Sequence, residues 1–350
     1  MSLTRADLDA LPSYVPGRTV TGAIKLASNE VPYGPLPGVP EAIAEAAANT
    51  HRYPDMAVVA LREKLAARLG VDVLRVATGC GSVALAEHLV RATCLGAQDE
   101  VLYAWRSFEA YPIIAAAAGA TSVRVPNRPD HGHDLAAMAA AVTARTRVVF
   151  VCNPNNPTGT AVRKAELDAF LDAVPDTTLV VLDEAYREFV TDPAVPDGLD
   201  TYGDRPNVVV LRTLSKAWGL AGLRIGYLVA AEPVADAVRK VTTPFSASAL
   251  AQAAALAALD AGHEMRRRAD LVVAERERVR AAIQKLLPEV PDTQANFVWL
   301  PLRDKATEFA ATCERHRVIV RPFQGDGVRV TIGTPDENDA FLAAAEEALS

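Results

Sequence analysis

The sequence predicts an α/β protein built on a mostly parallel β-sheet with helices on both faces. Between residues 71 and 229, short runs of aliphatic residues alternate with segments of helical period. These runs are almost continuously apolar, which is typical of strands buried on both faces. They cover residues 74–78, 100–103, 122–125, 148–151, 179–182 and 208–211. Polar or glycine-rich motifs follow several of the runs, and ligands of such sheets bind beyond the carboxyl ends of the strands.

The rest of the chain predicts an arm and a second, smaller domain. Residues 1–28 are punctuated by Pro and Gly and lack a helical or strand period, so we interpret them as an N-terminal arm. Residues 29–245 form the predicted large domain, and residues 246–350 a small α+β C-terminal domain. Predicted helices outside the sheet region cover 39–49, 58–69, 246–261, 264–287 and 337–349, and predicted strands cover 295–300, 318–321 and 328–332.

Composition argues against several classes of partner. The 36 Lys and Arg residues are scattered among 43 Asp and Glu residues, giving a net charge of −7, which argues against nucleic acid as a partner. We find no signal-peptide pattern and no uncharged run of spanning length, so we expect a cytoplasmic protein without membrane contact. The four cysteines are far apart in sequence, which indicates neither a disulfide framework nor a metal site.

A single lysine follows the last run of the predicted sheet. Burial of Lys216 among apolar neighbours would favour its neutral amine, which can condense with an aldehyde. Thr213 and Ser215 supply hydroxyl groups, and Arg224 supplies a fork-shaped cation suited to a phosphate. The stretch therefore predicts a ligand that carries both an aldehyde and a phosphate, and pyridoxal 5′-phosphate is such a ligand. The alternative is an exposed lysine in a Gly-rich turn.

A glycine-rich turn joins another strand to a helix at residues 78–83. Gly81 would let backbone N–H groups approach an anion, and the N-terminus of the following helix adds a favourable dipole. Such turns are common, so the turn alone does not identify a phosphate site.

Acidic residues end the run at 179–182. A buried carboxylate at Asp183 is costly unless it is paired, and a protonated pyridine nitrogen is a natural partner. For the adjacent Glu184 we expect a solvated or helix-start carboxylate.

Ser215-Lys216 and the Gly-rich run at 219–226 resemble the cofactor-attachment segment of fold-type I aminotransferases, in the histidinol-phosphate and aromatic branch. Six motifs in the family's order carry the resemblance over nearly the whole chain. It is strongest to actinobacterial aromatic amino acid aminotransferases, through residues 15–17, 79–83 and 105–108. The resemblance implies a seven-stranded type of sheet, pyridoxal 5′-phosphate and a homodimer with shared active sites.

The resemblance also implies roles for individual residues around the cofactor. Lys216 would hold the cofactor and move the proton, and Asp183 would pair with the pyridine nitrogen. Asn156 and Tyr186 would share the phenolate oxygen. Phe108 would stack on the ring, although core packing is its alternative. The predicted phosphate ligands are Gly81, Ser82, Val83, Thr213, Ser215 and Arg224, with Tyr53 reaching across the dimer interface from the other subunit.

A further set of residues would bind the substrate. Arg329 would clamp the α-carboxylate, although strand alternation leaves a solvent-facing arginine as the alternative. Arg321 would line the side-chain pocket, and Asn29 would lie near the carboxylate. Tyr14 would either pack in the arm or cover the substrate.

The reaction implied by the resemblance is a ping-pong transamination of phenylalanine or tyrosine with 2-oxoglutarate. Histidinol phosphate is the alternative donor, but Trp105-Arg106 stands where enzymes acting on it usually have Pro and a small hydroxyl residue. A pyridoxal-phosphate-dependent decarboxylase of an amino acid phosphate is a second alternative. A cofactor-binding regulator would need a DNA-binding segment that this sequence does not show.

Overall fold

The computed structural model describes residues 3–5, 8, 9, 11 and 17–350. Its strands are β1 Ile24–Lys25, β2 Val76–Gly79, β3 Glu100–Trp105, β4 Thr121–Pro126, β5 Thr146–Cys152, β6 Leu179–Asp183, β7 Val208–Thr213, β8 Gly226–Val229, β9 Phe297–Leu300, β10 Val318–Ile319, β11 Arg321–Phe323 and β12 Gly327–Thr331. Its helices are α1 Val39–Ala47, α2 Val59–Leu69, α3 Gly81–Thr93, α4 Ala110–Ala117, α5 Leu135–Ala140, α6 Lys164–Ala173, α7 Gly198–Tyr202, α8 Glu232–Val241, α9 Ala249–Asp260, α10 Gly262–Leu286, α11 Ala306–Arg315 and α12 Pro335–Leu349.

The predicted α/β architecture is confirmed. A seven-stranded sheet has the order β2-β8-β7-β6-β5-β3-β4. All six predicted runs belong to it, and the additional strand is β8, which is antiparallel to both β2 and β7. β8 has only four residues and begins with glycine, so its sequence lacks the apolar run that predicts the other six strands.

The two faces of this sheet bury different sets of side chains, which explains the continuous apolar runs. Val180 and Leu182 of β6 pack into one hydrophobic cluster, whereas Val181 packs into the cluster on the opposite face. Alternation along a strand sends successive side chains to opposite faces, so a doubly covered strand must be apolar throughout. Burying each valine or leucine is worth about 1.5–3 kcal/mol.

The register around β8 brings two distant loops together. Gly226 lies opposite Gly79 of β2 on one side and Thr213 of β7 on the other. A Cβ atom on Gly226 would lie 2.6 Å from the backbone nitrogen of Ser82. Glycine at this position therefore lets the start of α3 approach the loop that carries Lys216.

A second, three-stranded antiparallel sheet has the order β11-β12-β9. The predicted strand at 318–321 is interrupted: β10 pairs in parallel with β1 from the N-terminal part of the chain, whereas β11 pairs with β12. The last helix begins at Pro335, two residues before its predicted start. Its cap explains the difference, because Thr334 and Glu337 accept hydrogen bonds from each other's backbone N–H groups.

The division into three domains stays a prediction. Helix α9, which would begin the small domain, packs against α1 and α2 from the segment that follows the arm. Within the part of the chain that the structure describes, no helix is both long and apolar enough to cross a membrane.

Candidate active site

A cavity of about 270 Å³ lies where the carboxyl ends of β5, β6 and β7 face the three-stranded sheet. Thirteen of the predicted site residues line it: Asn29, Ser82, Val83, Phe108, Asn156, Asp183, Tyr186, Thr213, Ser215, Lys216, Arg224, Arg321 and Arg329. Gly81 immediately precedes two of them. Tyr53 lies elsewhere, and Tyr14 lies outside the described residues.

Lys216 presents its amine to this cavity. Its Nζ atom donates a hydrogen bond to the backbone carbonyl of Ser28 at 3.2 Å and lies 5.9 Å from the ring centroid of Tyr186. Burial, reinforced by the positive charge of Arg329, lowers the pKa of Lys216 to about 7. A substantial neutral fraction therefore exists near neutral pH, as a nucleophilic amine requires.

The carboxylate of Asp183 is buried at the floor of the cavity and is only partly satisfied. Its Oδ2 atom accepts a 2.7 Å hydrogen bond from the hydroxyl of Tyr111, whose ring stacks on Phe150. Its Oδ1 atom accepts no hydrogen bond from any residue that the structure describes. Burial raises the pKa of Asp183 to about 6. A cationic N–H group placed against Oδ1 would favour the ionised carboxylate.

Backbone N–H groups, hydroxyls and a guanidinium converge at the start of α3. Gly81 has a φ of +78°, and a Cβ atom there would lie 2.5 Å from Nη2 of Arg224. Arg224 also donates from Nη1 to the hydroxyl of Ser215 at 3.1 Å, and the Ser215 backbone N–H donates to Thr213. Together with the N-terminal turn of α3 at Ser82, these groups suit a phosphate.

Two hydrogen-bonded pairs form the wall nearest Lys216. Arg329 donates from Nη1 to the side-chain oxygen of Asn156 at 2.6 Å and from Nη2 to the carbonyl of Ala27 at 2.8 Å. Asn29 donates to the hydroxyl of Tyr186 at 2.9 Å. Burial raises the pKa of Tyr186, so its hydroxyl stays protonated and can donate. The solvent-facing alternative for Arg329 is wrong, because its side chain is buried in this wall.

The outer end of the cavity carries Phe108, Arg321 and Glu109, and Tyr111 lies behind Phe108 next to Asp183; no role was predicted for Glu109 or Tyr111. Phe108 packs edge-on against Tyr111, with ring centroids 5.6 Å apart. Arg321 donates to Oε2 of Glu109 at 2.9 Å. Glu109 and Tyr111 follow the predicted ring-stacking residue by one and three positions, and this closeness in sequence to Phe108 is the signal that points to both.

Glu184 contradicts the expectation of a solvated or helix-start carboxylate. It is buried and accepts two hydrogen bonds from Arg212, at 2.7 and 3.0 Å, and one from the backbone N–H of Gly198. The strand register explains this pairing. Asp183 of β6 lies opposite Leu211 of β7, so the residues that follow them, Glu184 and Arg212, are neighbours. Glu184 stabilises the sheet on the side away from Asp183.

Tyr53 is separate from this cavity. Its side chain is 82% exposed, and its ring stacks on that of Phe245 with centroids 4.5 Å apart. Within the described chain, Tyr53 does not line the cavity that holds the predicted phosphate ligands.

The cavity fits pyridoxal 5′-phosphate group by group. Lys216 would hold the aldehyde carbon, Oδ1 of Asp183 would accept from the pyridine nitrogen, and Asn156 and Tyr186 would donate to the phenolate. The start of α3 with Arg224 would hold the phosphate. Two observations carry this fit: Oδ1 of Asp183 has no hydrogen-bond partner among the described residues, and Gly81 allows Arg224 to approach the start of α3 closely.

Comparison with known proteins agrees with this fit. The family model for aminotransferase class I and II matches residues 21–344. The chain is 56% identical to an aromatic amino acid aminotransferase of Streptomyces avermitilis, over 98% of this chain and 96% of that protein. It is 58% identical to one from Rhodococcus jostii, over 98% and 95%.

Among solved structures, histidinol-phosphate aminotransferase from Sinorhizobium meliloti in complex with pyridoxal 5′-phosphate has a TM-score of 0.88 at 30% identity. The match covers 100% of this chain and 98% of that one. The chain therefore belongs to the class I and II aminotransferase family and uses pyridoxal 5′-phosphate as its cofactor.

Proposed function

We propose that the protein transfers the amino group of phenylalanine or tyrosine to 2-oxoglutarate. The observation that carries this proposal is the similarity over nearly the full length to proteins named aromatic amino acid aminotransferase. The cavity supports it, since Phe108 and Phe323 give its outer end aromatic walls.

Each half-reaction would use the same residues in turn. Arg329 would bind the substrate carboxylate, and a bidentate pair would fix the orientation of the Cα–H bond. Pyridoxal 5′-phosphate, when bound, supplies an electron sink for the negative charge that develops at Cα. The free amine of Lys216 would take the proton from Cα, and a pKa of about 7 suits an amine that both accepts a proton and gives it up again.

We further infer that two copies associate through the surface around Tyr53. Its exposed ring, together with Phe245, Met56 and Val59, forms an apolar patch. A second copy docked there would bring Tyr53 to the cofactor phosphate of its partner, as the resemblance implies. Light scattering at micromolar concentration tests association. Tyr53→Phe should weaken retention of the cofactor without changing the molar mass of the associated protein, because the aromatic ring in the patch is kept.

Two further expectations stay predictions. One is the division into an arm (1–28), a large domain (29–245) and a small domain (246–350). The other is a cytoplasmic location.

Histidinol phosphate is the second candidate substrate. The similarity to the Sinorhizobium meliloti enzyme favours it, and Arg321 at the outer end of the cavity is a cation that a phosphate could approach. Decarboxylation of an amino acid phosphate would instead release carbon dioxide.

A single-turnover experiment separates these functions. The cofactor-loaded protein is mixed with phenylalanine, or separately with histidinol phosphate, and the change in cofactor absorbance is followed with analysis of the product. Faster conversion with phenylalanine, giving phenylpyruvate, supports the proposal. Faster conversion with histidinol phosphate, or release of carbon dioxide, would refute it. Lys216→Ala is the control for absorbance changes that do not come from the reaction.

A further inference from the structure

Arg321 and Glu109 line the outer end of the cavity, and a second ion pair lies beside them. Arg321 pairs with Glu109 at 2.9 Å, and Arg106 pairs with Asp326 at 2.6 Å. Arg106 also lies 3.7 Å from the other carboxylate oxygen of Glu109. Two arginines and two carboxylates leave this end of the cavity with no net charge.

The position of Arg321 makes its pairing important for substrate choice. Arg321 and Arg329 lie directly opposite each other in the β11–β12 ladder, so both side chains leave the same face of the sheet. Their guanidinium carbons lie 5.1 and 5.7 Å from the ring centroid of Phe323. A substrate held by its α-carboxylate at Arg329 therefore lies within reach of Arg321.

We propose that Glu109 is a specificity-determining residue, which pairs with Arg321 and thereby selects an uncharged aromatic side chain over one that ends in a phosphate. This inference rests on the proposed aromatic substrate. An aromatic ring can lie against Phe108 and Phe323 and leave the ion pair intact. A phosphate dianion must either displace the carboxylate of Glu109 from Arg321 or lie beside it.

Both routes are unfavourable for a phosphate. Displacement breaks a hydrogen-bonded ion pair whose arginine side chain is only 11% exposed, and it leaves Glu109 with only the longer 3.7 Å contact to Arg106. Approach without displacement sets the dianion against the charge of Glu109, and Asp326 holds the second arginine in the same way. Discrimination by an unfavourable contact with the wrong ligand is a common source of specificity.

Glu109 can be changed without disturbing the adjacent helix. It occupies the N-cap position of α4, but its side chain makes no capping hydrogen bond to the described residues. Glutamine keeps the shape of the side chain and removes its charge. Glu109→Gln therefore leaves Arg321 in place with its positive charge unopposed.

The test compares kcat/KM for phenylalanine and for histidinol phosphate in the cofactor-loaded wild type and in Glu109→Gln. We expect the ratio of the two kcat/KM values to shift about tenfold or more toward histidinol phosphate. This is the change in affinity that one hydrogen bond to a charged group contributes. Glu314→Gln is the matched control. Its carboxylate pairs with Arg18 at 2.9 Å away from the cavity, so its loss should leave the ratio unchanged.

A binding measurement separates specificity from general damage. 3-Phosphonopropanoate and 3-phenylpropanoate lack an amino group, so both bind without reacting. We expect Glu109→Gln to bind 3-phosphonopropanoate more tightly, through the freed Arg321, and 3-phenylpropanoate with unchanged affinity. Equal loss of both affinities, or an unchanged kcat/KM ratio, would overturn the role of Glu109.

The proposed function fails on a different result. A wild-type enzyme that prefers histidinol phosphate refutes the aromatic substrate, whatever the variant does. The role of Glu109 is measured by the change in the ratio between variant and wild type.

Discussion

Arg329 of β12 donates a 2.6 Å hydrogen bond to Asn156 in the loop after β5, and this bond joins the two sheets at the cavity wall. One partner is the proposed clamp of the substrate carboxylate, and the other is the proposed donor to the cofactor phenolate. The substrate site and the cofactor site are therefore built around the same contact.

Arg329→Lys should raise KM for phenylalanine by about 30- to 100-fold, because lysine cannot form a bidentate pair with the carboxylate. Steady-state kinetics with saturating 2-oxoglutarate measure it. Arg91→Lys, at a partly exposed position of α3, is the control. An unchanged KM would show that the carboxylate binds elsewhere.

Lys216→Ala should abolish multiple turnover, because no other lysine lines the cavity within the described chain. After borohydride reduction, intact-mass analysis should find the cofactor attached to the wild type and to Lys240→Ala, but not to Lys216→Ala. Normal turnover in Lys216→Ala would rule out the assignment of the nucleophile.

Asp183→Ala should keep the covalently attached cofactor and lose most of its rate, about 100-fold or more, because the pyridine nitrogen loses the carboxylate that keeps it protonated. Tyr111→Phe removes only one of the contacts to Asp183 and should cost about tenfold. Rates are compared in single turnover. Wild-type kinetics in Asp183→Ala would refute the electron-sink role.

The pH dependence of cofactor attachment follows from the lowered pKa of Lys216. Below about pH 7 the amine is protonated and cannot attack, and above it the neutral form prevails, so the rate of attachment to cofactor-free protein should rise through about pH 7 and then level off. Arg329→Gln removes the second cause of the lowered pKa and should move the midpoint upward. A flat profile between pH 6 and 9 would contradict this.

The strands and most of the cavity-lining residues could be predicted from sequence because their signals are local. The apolar run of β6 reports that both of its faces are buried, and Lys216, Asp183 and Asn156 stand in short motifs next to such runs. The motifs and the parallel topology together place them at one edge of the sheet.

What could not be predicted depends on pairing between distant segments. Glu184 meets Arg212 only through the β6–β7 register. Glu109 meets Arg321 across 212 positions of sequence. Neither residue carries a local signal for its partner, so both ion pairs could be identified only from the structure.

Gly81→Ala should weaken cofactor binding because of the space that the added methyl group would occupy. Gly81 has a φ of +78°, which is costly for alanine, and the new Cβ atom would lie 2.5 Å from Nη2 of Arg224. Arg224 must then move away from the phosphate position, and we expect about a tenfold or larger increase in the dissociation constant of pyridoxal 5′-phosphate, equivalent to about 1.4 kcal/mol. Fluorescence titration of cofactor-free protein measures it. Gly34→Ala is the control, because no described atom beyond its chain neighbours lies within 4 Å of an added Cβ there. Equal affinities for Gly81→Ala and the wild type would show that the phosphate does not bind at the start of α3.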